Sequence, residues 1–285
     1  MKSYFGRIGS ILRHPANRAH PIYAVARAGY WAMRRRISTT PRIVKAYGDR
    51  RIKLYPKTHS WSNFACYGED FDFEICRFLG KFLRKGDVFL DIGANVGVMS
   101  VLASSHIGPD GRIIAVEPIP TNFARLQENF ALNQMSTAEA VFAALGVEAG
   151  EIEMSATDAV SHVSTVQNAA DAVRVPVKSM DELIQCKATI CKIDVEGYEL
   201  EVLRGAKTTI ARGLLPVMVL EINGSSRRYG RDDSELKQFL DTAGYRLGNY
   251  DVESNRIDWN CTPWGDVIAA NEEGRRLLSE RLGTE

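Results

Sequence analysis

Apolar side chains at Phe71, Ile75, Phe78, Leu79 and Phe82 recur every three or four positions, the spacing of one buried helix face. Lys81, Arg84 and Lys85 suit the end of that helix, and Gly86 stops it. Beyond it, short apolar runs alternate with helical stretches. Val88-Phe-Leu-Asp predicts a first strand, Val98–Ser104 a helix and Gly111–Glu117 a second strand. Thr121–Asn133 predicts a helix with Phe123, Leu126 and Phe130 inward. Ala140–Leu145 predicts a third strand, Glu151–Met154 the start of a hairpin, and Ser179 to Glu182 a capping box before a short helix. Thr189–Ile193 predicts a fourth strand, and Tyr198–Ala211 a helix with Val202, Leu203, Ala206 and Ile210 inward. Leu215–Ile222 predicts a fifth strand. A helix capped by Asp233 follows, with Leu236, Phe239 and Leu240 inward, and Gly244 ends it. Tyr245–Tyr250 and Asp266–Ala270 predict two last strands, and residues 50–67 short strands and turns. Alternation of this kind implies an α/β fold with a mostly parallel, doubly wound sheet. Ligands of such sheets sit beyond the strand C-termini, near the topological switch point.

The 285 residues are 45% hydrophobic and 25% charged, which excludes disordered, collagen-like and disulfide-scaffold classes. The net charge of +1 hides an asymmetry: residues 1–58 carry 14 Lys/Arg and the single acid Asp49, whereas the remainder carries 22 basic and 34 acidic residues. Residues 1–50 are read as a basic N-terminal extension and 51–285 as the main domain. Pro15, Pro21 and Pro41 break the extension, and Arg27 and Arg34–Arg36 flank the apolar stretch Ala28–Met33. That stretch predicts a short helix lying on an anionic membrane or on the body. Nucleic acid is disfavoured as a partner, because the arm lacks regular aromatic interleaving and the body is acidic. Five cysteines without C-x-x-C spacing read as reduced thiols. No run approaches the ~20 apolar residues of a membrane span. With no apolar signal-peptide core, the expectation is a cytoplasmic protein, peripheral at a membrane if the arm binds one.

Two strand ends carry candidate chemistry. In Asp91-Ile-Gly93-Ala94-Asn95-Val-Gly97 the glycines are spaced G-x-x-x-G, not as the G-x-G-x-x-G dinucleotide fingerprint. An acid on the strand just before them would repel a pyrophosphate and attract a cation, which favours S-adenosylmethionine over NAD. Glu117, 26 residues later and followed by Pro118, ends the second strand, where an acid accepts the hydroxyls of a ribose.

DVFLDIGANVG, GRIIAVEPIPTNFARLQENFALN and CKIDVEGYELEVLRGA together resemble FkbM-type S-adenosylmethionine-dependent methyltransferases, from about Tyr67 to Asn223. The KIDVEG-x-E-x-x-VL-x-G run is the most family-specific part. The resemblance implies a Rossmann-like, seven-stranded methyltransferase sheet whose last strand is antiparallel. It implies O-methylation of sugars, glycoconjugates or other small hydroxylated metabolites. It also places Asp91, Gly93, Ala94, Asn95 and Gly97 along the methionine end of the cofactor, with Glu117 and the adjoining Pro118 at the ribose. The rivals are an N- or carboxyl methyltransferase on the same fold and a nucleoside-binding scaffold without turnover.

Asp194 and Glu196 follow the fourth strand and Glu221 ends the fifth, at the edge where an acceptor meets the methyl group. Asp194 reads as a general base, or with Glu221 and Asn223 as a ligand of Mg²⁺ or a similar ion. Glu196 reads alternatively as a cap of the following helix, and Lys192 as structural. His162, in the irregular region after the third strand, is a further candidate base. Neither the acceptor nor the oligomeric state is legible in these residues.

Overall fold

The computed structural model describes residues 4–155 and 172–283. Helices α1 (Tyr4–Arg13) and α2 (Pro21–Ile37) lead into β1 (Arg42–Lys45) and β2 (Arg51–Leu54), then α3 (His59–Tyr67) and α4 (Phe73–Phe82). The alternating region begins with β3 (Val88–Ile92), α5 (Val98–Ile107), β4 (Arg112–Val116), α6 (Pro120–Leu132) and β5 (Ala138–Val141). It continues through β6 (Ala144–Leu145), β7 (Gly150–Ser155), β8 (Ala172–Lys178), α7 (Met180–Leu183), β9 (Ile190–Ile193), α8 (Glu199–Arg204), α9 (Lys207–Ala211) and β10 (Val217–Ile222). Last come α10 (Asp233–Thr242), β11 (Arg246–Asp251), β12 (Arg256–Asp258), β13 (Gly265–Ala270) and α11 (Glu272–Leu282).

The main sheet runs β12-β11-β13-β10-β9-β3-β4-β5. Strands β5, β4, β3, β9 and β10 pair in parallel, and β13 lies antiparallel between β10 and β11. The sheet therefore has eight strands where seven were expected. The eighth is the three-residue β12, which adds to the free edge of β11. The order reverses between β3 and β9, so the switch point lies at their carboxyl ends. Side chains alternate between two cores. Phe89, Ile113, Ile190, Val219 and Ile268 pack on one face against α4, α5 and α11. Leu90, Ile114, Cys191, Leu220 and Val267 pack on the other, against α8 and α10. A fully buried parallel sheet reads in sequence as such apolar runs.

Several boundaries differ from the expectations, each for a local reason. Ala140–Leu145 is not one strand: β5 stays in the main sheet, while Ala144 and Leu145 pair with β8 in a separate sheet, β6-β8-β7. Tyr198–Ala211 is two helices. A Cβ on Gly205 would lie 1.9 Å from the Gly146 carbonyl oxygen, and Asp181 caps a fresh N-terminus by accepting the N–H groups of Thr208 and Thr209. The cap of α10 is Asp232, which accepts from Ser234, one residue before the expected Asp233. Within 50–67 only β2 is a strand. Thr58 accepts the Trp61 N–H and starts α3.

The predicted Ala28–Met33 helix is longer, running from Pro21 to Ile37. Trp31 on its inner face packs edge-on against Trp61 of α3 at 4.5 Å. Arg27 donates to the carbonyls of Ala65 and Cys66. The β1–β2 hairpin runs across residue 50. Extension and domain thus share one core.

Candidate active site

A crevice at the carboxyl ends of β3 and β9 is lined by Asp91, Gly93–Val96, Glu117, Pro118 and Asn122 on one side and by Lys192, Asp194, Val195 and Glu196 on the other. His59, Ser60 and Asn63 of α3, Asp72 at the start of α4 and Met154 of β7 also line it.

The loop after β3 turns sharply. Gly93 has φ +81°, and a Cβ there would sit 1.9 Å from the Asp194 carbonyl oxygen. Gly97 also has φ +81°, and a Cβ would meet Leu126 at 2.5 Å. The glycines therefore fit the loop against β9 and α6, in addition to supplying a left-handed turn. The N–H groups of Gly93 and Ala94 both donate to the Val116 carbonyl, which holds the loop beside Glu117. Glu117 is buried and accepts the Asn95 N–H at 2.8 Å and the Ile119 N–H at 2.9 Å. Burial pushes its carboxyl up to about 7, against those two amides and the nearby Asn122. Each carboxylate oxygen thus uses one lone pair on the protein and keeps another for a ligand. Asp91, also buried, accepts the Ser100 hydroxyl at 2.6 Å. Burial raises its pKa, and the Lys192 ammonium works the other way.

Asn122 was missed from sequence. It is 1% exposed and near enough to Glu117 to oppose the rise of that carboxyl's pKa, yet among the described residues neither its side-chain oxygen nor its nitrogen meets hydrogen-bond geometry with any partner. It lines the crevice beside Glu117. Orphaned buried amides are rare and costly unless a ligand satisfies them. The available signal was a polar row along α6: Asn122, Asn129 and Asn133 lie toward its buried side. Asn129 accepts the Lys53 N–H and Asn133 the Arg51 N–H, which leaves only Asn122 free.

The opposite wall is a row of charges. Asp91 pairs in register with Lys192, Glu221 with Asp266, and Asp194 lies one step beyond the Ile193–Leu220 pair. Strand alternation puts Asp91, Lys192, Glu221 and Asp266 on the α4 face, where Asp72 approaches from the start of that helix. Lys192, which reads as structural in the sequence, lines the crevice and donates to Asp194 at 2.6 Å. Burial works to lower its pKa, but Asp194, Asp91 and Asp72 together outweigh burial and hold the ammonium charged. A charged residue at an inward position of a buried strand was the signal for it. Burial and the neighbouring Asp266 raise Asp72, and burial with the charge of Asp194 raises Asp266. Glu221 does not line the crevice. Burial, with the charges of Asp194, Glu196, Asp266 and Glu199, pushes it up to about 8.

Glu196 does not cap the following helix. The N-cap position is Tyr198, which makes no side-chain capping bond, and Glu199 accepts the N–H groups of Val195 and Gly197 in the turn before the helix. Glu196, at φ +57°, lines the crevice. His162 lies outside the described residues. Among the described residues, no three His, Cys, Asp or Glu side chains are grouped to hold a metal ion; of the Asp194, Glu221 and Asn223 set, only Asp194 lines the crevice.

The profile of the methyltransferase FkbM domain matches residues 91–247. Hexuronic acid methyltransferase AglP of Haloferax volcanii is 26% identical over 174 residues, covering 60% of this chain and 68% of its own. Methyltransferase 1 of Beauveria bassiana is 25% identical over 196 residues, covering 60% and 74%. The crystal structure of methyltransferase FkbM from Methylobacillus flagellatus KT aligns with a TM-score of 0.44 at 14% identity, over 88% of this chain and 60% of that one. With the domain profile spanning more than half of its length, from the acid that ends β3 to the start of β11, the chain belongs to the FkbM methyltransferase family.

Proposed function

We propose that this protein transfers the methyl group of S-adenosylmethionine to a hydroxyl of a saccharide, glycoconjugate or small hydroxylated metabolite. One observation carries the cofactor reading: Glu117, with lone pairs to spare, stands beside the orphaned amide of Asn122 at the mouth of a loop that Asp91 begins. A ribose diol satisfies Glu117, and an adjoining polar group of the nucleoside satisfies Asn122. The buried acid Asp91 favours a cationic ligand end and opposes a phosphate. Bound there, S-adenosylmethionine supplies a sulfonium-activated methyl group.

Asp194 is the acceptor-side residue. Lys192 donates to one of its oxygens, and the Asp194 side chain, which lines the crevice, is 40% exposed. It orients the acceptor hydroxyl and takes up its proton. Alignment of oxygen, carbon and sulfur supplies much of the remaining rate. A hexuronic acid, the compound in the name of the Haloferax relative, offers both hydroxyls and a carboxyl group. The wall here holds Asp72, Asp194 and Glu196 against one ammonium already engaged by Asp194. An acceptor carboxylate would meet like charge, so a hydroxyl is the favoured nucleophile.

A labelled-methyl transfer screen over uronic acids, neutral sugars, their lipid-linked forms and small hydroxylated metabolites tests this. Ether product from a hydroxyl is the expected result. A methyl ester would turn the assignment to carboxyl methylation, and cofactor binding without transfer to any class would turn it to a nucleoside-binding scaffold.

A further inference from the structure

Seven of the nine strongly exposed large hydrophobic side chains among the described residues lie between residues 12 and 43. Five line up along α2. Ile22, Tyr23, Tyr30, Met33 and Ile37 are 84%, 66%, 43%, 57% and 75% exposed. With Ala26 they follow the four-residue helical repeat and form one outward stripe, opposite the inward Ala24 and Trp31. Arg34 borders the stripe on one side and Arg36 on the other. Among the described residues neither has a carboxylate partner, and the chain carries no Asp or Glu before Asp49. On β1, Ile43 is 51% exposed, and Arg42 stacks on Tyr30 and donates to its hydroxyl at 2.6 Å.

We infer that α2, with β1 beside it, is a membrane-surface helix that docks the protein on an anionic lipid bilayer. An isolated exposed apolar residue needs no explanation, but a contiguous stripe does. The flanking charges choose the occupant. Aliphatic and tyrosine side chains between arginines match the acyl–headgroup boundary, where the stripe enters the lipid and the guanidinium groups meet phosphate. A second copy of the same face would set Arg34 and Arg36 against their own equivalents, since an isologous contact is self-complementary. The acidic remainder of the chain, repelled by the same lipid, turns the basic arm toward it.

The inward face gives the docking a consequence. Trp31 rests on Trp61 of α3, and the same helix presents His59, Ser60 and Asn63 to the crevice. Two helix layers, α2 itself and α3, each roughly 10 Å across, therefore separate the lipid-facing stripe from the site. The inference is independent of which acceptor is methylated.

Sedimentation of the full-length protein with vesicles of phosphatidylglycerol and phosphatidylcholine, against phosphatidylcholine alone, tests it. The expected result is binding to the anionic vesicles that fades as salt rises. Each arginine near such a surface contributes roughly fivefold, so an Arg34→Gln/Arg36→Gln variant should bind about 25-fold more weakly. An Ile22→Ser/Met33→Ser/Ile37→Ser variant should lose binding even at low salt. Both variants are checked for folding by circular dichroism and by S-adenosylmethionine titration, and the arginine variant decides if the other misfolds. No binding to anionic vesicles at low salt, or equal binding to neutral ones, would overturn the inference. So would a concentration-dependent dimer that the stripe variant dissociates while vesicle binding is absent, which would assign the face to a second copy.

Discussion

Glu117 and Glu221 each close a buried parallel strand, and both are pushed up, to about 7 and about 8. The causes differ. Glu117 is buried but held by two main-chain N–H donors, with Asn122 beside it. Glu221 is only partly buried, and after burial its largest influences are four other acids. The β3–β4 half of the crevice answers burial with donors and leaves sites open for a ligand, as a preorganised binding half does. In the β9–β10–β13 half, Asp72, Asp194 and Asp266 act on the buried ammonium of Lys192, and Glu221 adds a fourth acid beside Asp194 and Asp266. That half concentrates acids in a buried setting, where desolvation and like charge both raise carboxyl pKa values.

The halves touch at Gly93, so the sharpest way to break the distinction is there. Gly93→Ala puts a Cβ 1.9 Å from the Asp194 carbonyl oxygen at a left-handed φ. The expected result is a loss of more than about 4 kcal/mol of stability, the range of exceptional single substitutions, together with weakened cofactor binding. Chemical denaturation of the purified variant measures it. Next in size, Asp194→Asn should lower turnover by roughly 10²–10⁴-fold while leaving S-adenosylmethionine affinity within a factor of a few. Single-turnover assays alongside calorimetry separate the two. Equal loss of both would place Asp194 in the binding half.

Glu221 sharpens the comparison through pH. Its folded pKa is raised above the ordinary carboxyl value, so its protonated form is the compatible one. The stability it contributes is complete below that ordinary value and is lost as pH rises through about 8. Glu221→Gln should therefore raise the melting temperature at alkaline pH and narrow the drop between mildly acidic and alkaline buffer. A variant that melts lower than the parent at alkaline pH would contradict the repulsion among these acids. Smaller still is the effect on the other half: if ionised Glu117 accepts the ribose diol, affinity should strengthen severalfold as pH rises through about 7, and titrations on either side of neutrality would reveal the slope.

The same division governs what could be read from the sequence. Asp91, the glycine loop and Glu117 lie within 27 residues, and each is tied to the end of a strand that its apolar run announces. Their site could be placed from local pattern alone. Lys192, Asp72 and Asp266 come together only through strand register and the approach of α4, contacts that no local window contains. Asn122 stands out only after Asn129 and Asn133 are seen to be satisfied by β2. The extra strand β12 and the split of 140–145 escaped because both involve two- or three-residue strands, too short for a periodicity. The long outward stripe of α2 was shortened to Ala28–Met33 by its flanking arginines. In sequence they flank the apolar stretch, whereas in the structure they lie within the helix.

The claim most exposed to test is that the β3–β4 half, and not the acid-rich half, holds the cofactor. Calorimetric titration of S-adenosylmethionine into the parent protein and into folded Glu117→Ala and Glu221→Gln measures it directly. Glu117→Ala should weaken binding by about 1.5–3 kcal/mol, roughly ten- to a hundredfold, with Glu221→Gln close to the parent. Parent-like affinity in Glu117→Ala, or tighter binding of NAD than of S-adenosylmethionine by the parent protein, would contradict the account.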